Sequence, residues 1–177
     1  GDILYAIRSL PLDIPKATIS NRYFNFLFIG RYERVKGLDV LLRAFRILWD
    51  EGKEAHLHIF GGGELENYYR KMIDELNLSE RVHFGGYASP ETTVSFMKAC
   101  SCLVIPSRQE SQPVILMDAI QVKIPVIVTK VGDMGEIVEG HHIGLVVEAE
   151  DVGGLKKAMV DFMEDKGLNY RTNLEKL

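Results

Sequence analysis

The sequence is poor in cysteine, with only Cys100 and Cys102 among 177 residues. They stand two positions apart in one short apolar run, where i and i+2 share a strand face and a bond between them would strain the strand. The expectation is two free, buried thiols in a reducing compartment, and a small disulfide-stapled scaffold is excluded. No apolar stretch reaches the ~20 residues of a membrane span, and no secretory signal is visible. Internal repeats and low-complexity tracts are also lacking. Charge of one sign does not dominate: 21 Lys and Arg face 25 Asp and Glu, a net charge of −4. Such a chain is a poor general nucleic-acid binder, and no nucleic-acid partner is expected.

What is present is ordinary in amount. Hydrophobic residues make up 46% and charged residues 26%, the balance of a soluble globular protein rather than a disordered tail or a collagen-like repeat. The length suits one domain, which buries roughly 70% of its unfolded surface. Short apolar runs at 26–29, 56–60, 81–84, 102–105, 125–129 and 145–147 read as strands. Helix-period segments lie between them: 38–48, 65–76, 90–99, 113–121, a short one near 135–138, and a last one from Asp151 carrying Leu155, Ala158, Met159 and Phe162. Strands alternating with helices pair in parallel through right-handed crossovers. Continuous apolar runs fit strands covered on both faces. The predicted architecture is α/β, a single doubly wound parallel-sheet, Rossmann-like domain over 21–165. Residues 1–20, with Pro11 and Pro15, read as a linker or edge segment, and 166–177 as a truncated tail.

In such sheets the ligand sits beyond the carboxyl ends of the strands. The residues following each strand are therefore the candidates. Gly30, Arg31 and then Lys36-Gly37 follow the first strand, and Gly61-Gly62-Gly63 the second. Gly85, Gly86 and Tyr87 follow the third, Ser107, Arg108, Gln109 and Glu110 the fourth, and Lys130, Gly132 and Asp133 the fifth. Cations, backbone-exposing glycines and carboxylates together suit an anionic ligand that also carries hydroxyls.

Arg31 offers a planar fork and Lys36 a point charge for phosphate oxygens, and Lys36 precedes a helix start, where anions are favoured. Spacing alone leaves open two solvated surface cations. The glycine triplet allows close approach of a ligand or simply a tight turn. Glu110, with Asp118 about two turns on, can hold sugar or ribose hydroxyls beside the N–H groups of Gln112, Val114 and Ile115. The alternative is a helix N-terminal charge plus one exposed carboxylate. A dinucleotide fingerprint is missing from the first strand, which leaves an NAD(P)-dependent oxidoreductase as a weak alternative. Ser107 and Ser111 lack a nucleophile elbow. His56 and His58 read as sheet residues, since a metal site needs a third donor nearby in space. No metal is assigned to them or to His141-His142.

Taken in order, five stretches resemble the C-terminal donor-binding domain of retaining GT-B glycosyltransferases of the E-x7-E type. They are Gly30-Arg31 with Lys36-Gly37-Leu38-Asp39, then His58 to Gly63, then Arg81 to Tyr87. The fourth is Pro106 to Glu110 with Pro113 and Asp118-Ala119, and the fifth Gly132 with Glu136-Ile137-Val138. The resemblance spans about residues 25–164. It implies a donor site for a nucleotide-diphosphate sugar (UDP-, GDP- or ADP-linked). Arg31 and Lys36 would hold the diphosphate, joined by N–H groups of the backbone around Gln112 to Val114, with Ser111 and Pro113 also at the donor. Glu110 would contact the sugar and Asp118 the ribose. Gly30, Gly61 and Gly62 would border the donor, and Gly86 and Tyr87 would flank the base. Transfer would retain the anomeric configuration and need no metal or other cofactor.

The sequence departs from the family pattern at Asp118, where Glu is usual, at Asp133, where a second Gly is usual, and at Ser111, Gln112 and Lys123. A non-catalytic nucleotide- or sugar-binding module is the alternative these departures suggest. GT-B enzymes place a saccharide or lipid-linked acceptor on a second, N-terminal domain, and this chain has room for one domain. The start at Gly1 rather than Met adds to the expectation of an excised C-terminal domain that binds donor and does not transfer sugar alone. The expected location is cytoplasmic, with a peripheral membrane contact left open for the full-length protein.

Overall fold

The computed structural model describes residues 7–165 and 167–177. Six strands alternate with helices: β1 (Phe24–Ile29), α1 (Leu38–Asp50), β2 (Ala55–Phe60), α2 (Glu66–Glu75), β3 (Val82–Gly86), α3 (Pro90–Ala99), β4 (Cys102–Ile105), α4 (Val114–Val122), β5 (Val126–Thr129), α5 (Met134–His141), β6 (Gly144–Val147) and α6 (Val152–Asp165). A further helix, α7 (Leu168–Glu175), follows. All strand pairs are parallel, in the order β3-β2-β1-β4-β5-β6. This is the doubly wound arrangement whose direction of winding reverses between β1 and β4.

Side chains alternate across the sheet and build a core on each face. Phe26, Phe28, Leu57, Ile59, Val104 and Ile127 pack with α1, α2 and α6. Leu27, Phe60, Leu103, Ile105, Val126 and Val128 pack with α3, α4 and α5. The helix period in α1 places Leu38, Leu41, Leu42, Phe45 and Leu48 on one fully buried face. Helix α3 starts where its sequence says it should: Ser89 caps the Thr92 N–H and Pro90 occupies the first turn. No helix among the described residues is long and apolar enough to cross a membrane.

Three expectations are corrected. Cys100 and Cys102 are buried and free, but they do not share a strand face. Cys100 ends α3 and faces the α3–α5 core, whereas Cys102 lies in β4 and faces the other core. The fifth helix is longer than 135–138, running to His141 before His142 turns left-handed. The segment expected as a tail folds into α7, with Leu174 buried in the α3–α5 core and Asn173 donating to the His142 carbonyl at 2.7 Å. Within the linker-like segment, residues 1–6 lie outside the described residues.

Candidate functional site

The reversal point opens into a crevice. Strands β1 and β2 stay in register over six pairs, but β1 and β4 pair only at Phe26–Cys102 and Leu27–Leu103. Past those pairs, Phe28, Ile29 and Gly30 on one side and Val104, Ile105 and Pro106 on the other line a pocket of about 280 Å³. Gly37 fixes its geometry. Its φ of 73° ends a 3-10 turn over Arg34–Lys36 and starts α1. A Cβ there would lie 1.9 Å from the Pro106 carbonyl oxygen. Only glycine lets the turn after β1 pass so close to the turn after β4.

Of the expected residues, Gly30, Arg31, Lys36, Glu110, Gln112, Val114 and Asp118 line this pocket. Lys36 Nζ donates to Glu110 Oε2 at 3.1 Å, and both side chains are largely buried, at 28% and 7% exposure. Ser107 Oγ also reaches Glu110 Oε2, at 3.4 Å. The backbone of Glu110 is held from behind: a Cβ on Gly132 would lie 2.3 Å from its carbonyl oxygen. Thr129, at the end of β5, donates its hydroxyl to the Ser107 carbonyl at 2.7 Å. The loop carrying the carboxylate is thus pinned by the neighbouring strand. Arg31 stands exposed on the rim and its Nε donates to Glu33. That hydrogen bond and the Glu33 charge hold its guanidinium above the ordinary arginine pKa.

Other expected residues stand elsewhere. Gly61, Gly62, Gly86, Tyr87, Ser111 and Pro113 do not line the pocket. The glycine triplet packs against the backbone after β1. A Cβ at Gly61 would lie 1.8 Å from the Gly30 carbonyl oxygen, and Gly62 accepts the Tyr32 N–H at 2.9 Å. Tyr87 is 82% exposed. The Val114 N–H, expected to face a ligand, donates to the Gln112 carbonyl at 2.8 Å instead, the inverse γ-turn that Pro113 makes at φ −79°, ψ 65°. Arg108 turns away to form a fork on Asp39 at 2.8 Å and to reach Glu150 at 2.7 Å. It clamps the start of α1. The Asp39 hydrogen bonds hold Arg108 protonated well above the arginine value. Burial alone would raise Asp39, but Arg108 keeps its carboxyl below the usual range.

Ser107, expected after the fourth strand, also lines the pocket. Arg8, which lines it too, was not signalled by pattern and comes from the irregular segment before β1. Its Nε and Nη2 form a fork on Asp118, at 3.0 Å to Oδ1 and 2.6 Å to Oδ2. Asp118 lies one turn into α4 with its side chain 1% exposed, while that of Arg8 is 43% exposed. A third histidine does join His56 and His58: His83 on β3 stacks on both. Even so, no group of three His, Cys, Asp or Glu among the described residues is placed to hold a metal ion.

The model of the family described as glycosyl transferases group 1 matches residues 11–176. The chain belongs to this family. The group 1 domain is 31% identical, over 82% of its length, to an uncharacterised glycosyltransferase of Methanocaldococcus jannaschii, of which it covers 40%. It is likewise 31% identical, over 80% of its length, to the D-inositol 3-phosphate glycosyltransferase of Corynebacterium jeikeium, covering 35% of that protein. The chain therefore spans well under half the length of these two relatives. Among solved structures, sucrose-phosphate synthase from Thermosynechococcus elongatus superposes with a TM-score of 0.75 at 25% identity, over 95% of this chain and 42% of that one. Anabaena HepE in complex with UDP-glucose superposes at 0.76 and 22% identity, over 87% and 43%. The group 1 domain thus has the Rossmann-like fold of one half of a GT-B glycosyltransferase.

Proposed function

We propose that this chain is the donor-binding part of a retaining glycosyltransferase that moves a sugar from a nucleotide diphosphate to a saccharide or lipid-linked acceptor. The observation that carries the proposal is the Lys36–Glu110 pair inside the pocket at the sheet's reversal point. A cation and a carboxylate 3.1 Å apart suit the two ends of the bond that breaks. Lys36, with Arg31 on the rim, faces the diphosphate, and stabilises the charge that grows on it as it leaves. Glu110 accepts hydroxyl protons of the sugar. Asp118, one turn into α4, takes the ribose, and Gly86 and Tyr87 border the base. Chemistry of this kind needs no metal, because the leaving charge is met by side chains. The acceptor, and any peripheral contact with a membrane, belong to the whole protein.

Calorimetric titration of this chain with UDP-, GDP- and ADP-sugars tests the reading, with Lys36→Ala and Arg31→Ala beside it. Binding of one nucleotide sugar, weakened about tenfold or more in Lys36→Ala, is the expected result, the scale of losing a charge-assisted contact of ~1.4 kcal/mol. Arg31→Ala, on the rim, weakens it less. Affinity unchanged in Lys36→Ala removes the pocket from the donor's path.

A further inference from the structure

Residues 7–20 form neither strand nor helix, yet they are tied down. Gln121 Nε2 donates to the Arg8 carbonyl at 2.7 Å, Lys98 Nζ to the Ile14 carbonyl at 2.7 Å, and Ala17 N–H to the Ser95 carbonyl at 2.9 Å. Leu10 is buried. Every one of these tethers comes from α3 or α4, so the segment is a strap laid over the two helices beside the pocket. Arg8 stands at its start and reaches into the pocket wall. The residues matched by the family model begin at 11, so the family resemblance assigns Arg8 no role.

Two features of the contact matter. The fork engages both oxygens of Asp118. The Asp118 side chain beneath is almost wholly covered, while the Arg8 side chain above it is nearly half open to solvent. Arg8 swings outward without opening the core, and what its departure costs is the pairing of a carboxylate that is almost wholly covered, so Asp118 is released to a ligand that hydrogen-bonds it in return. Gln121 and Lys98 hold the strap by its backbone, so the Arg8 side chain moves alone.

We propose that Arg8 gates Asp118: in the free chain its guanidinium occupies both carboxylate oxygens, and a nucleotide enters by exchanging that guanidinium for the vicinal hydroxyls of its ribose. The proposal rests on the donor-site reading above. The exchange replaces three N–H···O contacts from the guanidinium by two O–H···O contacts from the ribose, so both carboxylate oxygens keep a donor. The displaced cation stays solvated at the edge of a pocket that has just received a diphosphate. Donor affinity is then set by a competition inside the chain.

The test titrates this chain with UDP, GDP and ADP, each beside its 2′-deoxy counterpart, and with inorganic pyrophosphate, in wild type, Arg8→Ala, Arg8→Lys and Arg8→Ala/Asp118→Asn. Thermal melts establish that the variants fold. Arg8→Ala is expected to bind the preferred ribonucleotide about threefold or more tightly, because the guanidinium no longer competes for the covered Asp118 carboxylate. Its 2′-deoxy analogue and pyrophosphate gain less, and the double variant loses the gain. Arg8→Lys, which keeps the charge without the fork, falls between. A ribonucleotide affinity that is unchanged or weaker in Arg8→Ala, or a gain that pyrophosphate shares in full, overturns the gate and leaves the donor site standing. Failure of every nucleotide and of pyrophosphate to bind any form takes down the donor-site reading, and the gate with it.

Discussion

At the scale of single residues, the pocket depends on contacts that leave no room for a side chain. Gly37→Ala places a Cβ 1.9 Å from a backbone oxygen at a φ of 73°. It is expected to cost about 2 kcal/mol or more, from strain and displaced backbone together. A urea titration should show a lower midpoint with an unchanged slope. Gly30→Ala meets only the Phe28 ring, at 3.1 Å, and should cost clearly less; equal costs would mean the Pro106 contact is not the reason. Arg108→Ala leaves Asp39, with a side chain 6% exposed, without its fork, and about 2–3 kcal/mol of stability should go with it. The nearby Arg43, at 3.3 Å, softens that loss. These residues also mark how far the sequence can be read. Lys36, Glu110 and Asp118 were found because residue type and spacing after a strand point to a pocket. Arg108 was grouped with them and faces the other way, because the direction of a side chain in an irregular loop follows no period. Arg8 carried no signal at all, since its partner is 110 positions away.

Among the elements, the β2–β3 edge holds a stack of imidazoles. Rings of His56 and His58 lie 5.0 and 5.1 Å from that of His83, and His58 Nε2 donates to Asn25 Oδ1 at 3.0 Å. Burial, then His83 and His56, push the His58 pKa down from 6.5 to about 4; burial lowers His83 as well. Burial, then His83 and Arg81, lower His56 against a smaller opposing pull from Glu54. Between pH 6.5 and about 4 the unfolded chain therefore binds a proton that folded His58 refuses. Stability falls across that window as pH is lowered. Asp39 adds a second loss below its ordinary value of 3.8, as pH falls toward its depressed folded one. Melting temperature followed from pH 7 to pH 4 should decline in wild type and decline less in His58→Gln; parallel curves would remove His58 from the account. The strands and most helices were legible because apolar runs end on Gly or Pro. Helix α7 was not. Its sequence LNYRTNLE has little apolar period, and one buried side chain, Leu174, anchors it. Packing decided its state where local preference did not.

For the whole molecule, one sheet is shared by two cores, so neither face can be lost alone. The single tryptophan, Trp49, packs against only one of them with the Arg81 guanidinium 3.1 Å from its ring centroid. Its fluorescence reports on that face, while far-UV circular dichroism reports on all helices. The two should trace one coincident urea transition, and Phe45→Ala, which empties a fully buried site, should shift both by about 3–5 kcal/mol. Separate transitions would show the faces to be independent. The short seam between β1 and β4 has a consequence of a different kind. Its two strands are made at very different times during synthesis. Once β1 has left the ribosome, β2 can pair with it and β3 with β2 within moments, but the other edge of β1 stays bare until β4 has been translated. Closing so long a loop is slow, and a bare inner edge is a template for a second nascent chain. The crevice that suits a ligand in the finished protein is, in the unfinished one, the place most in need of a chaperone.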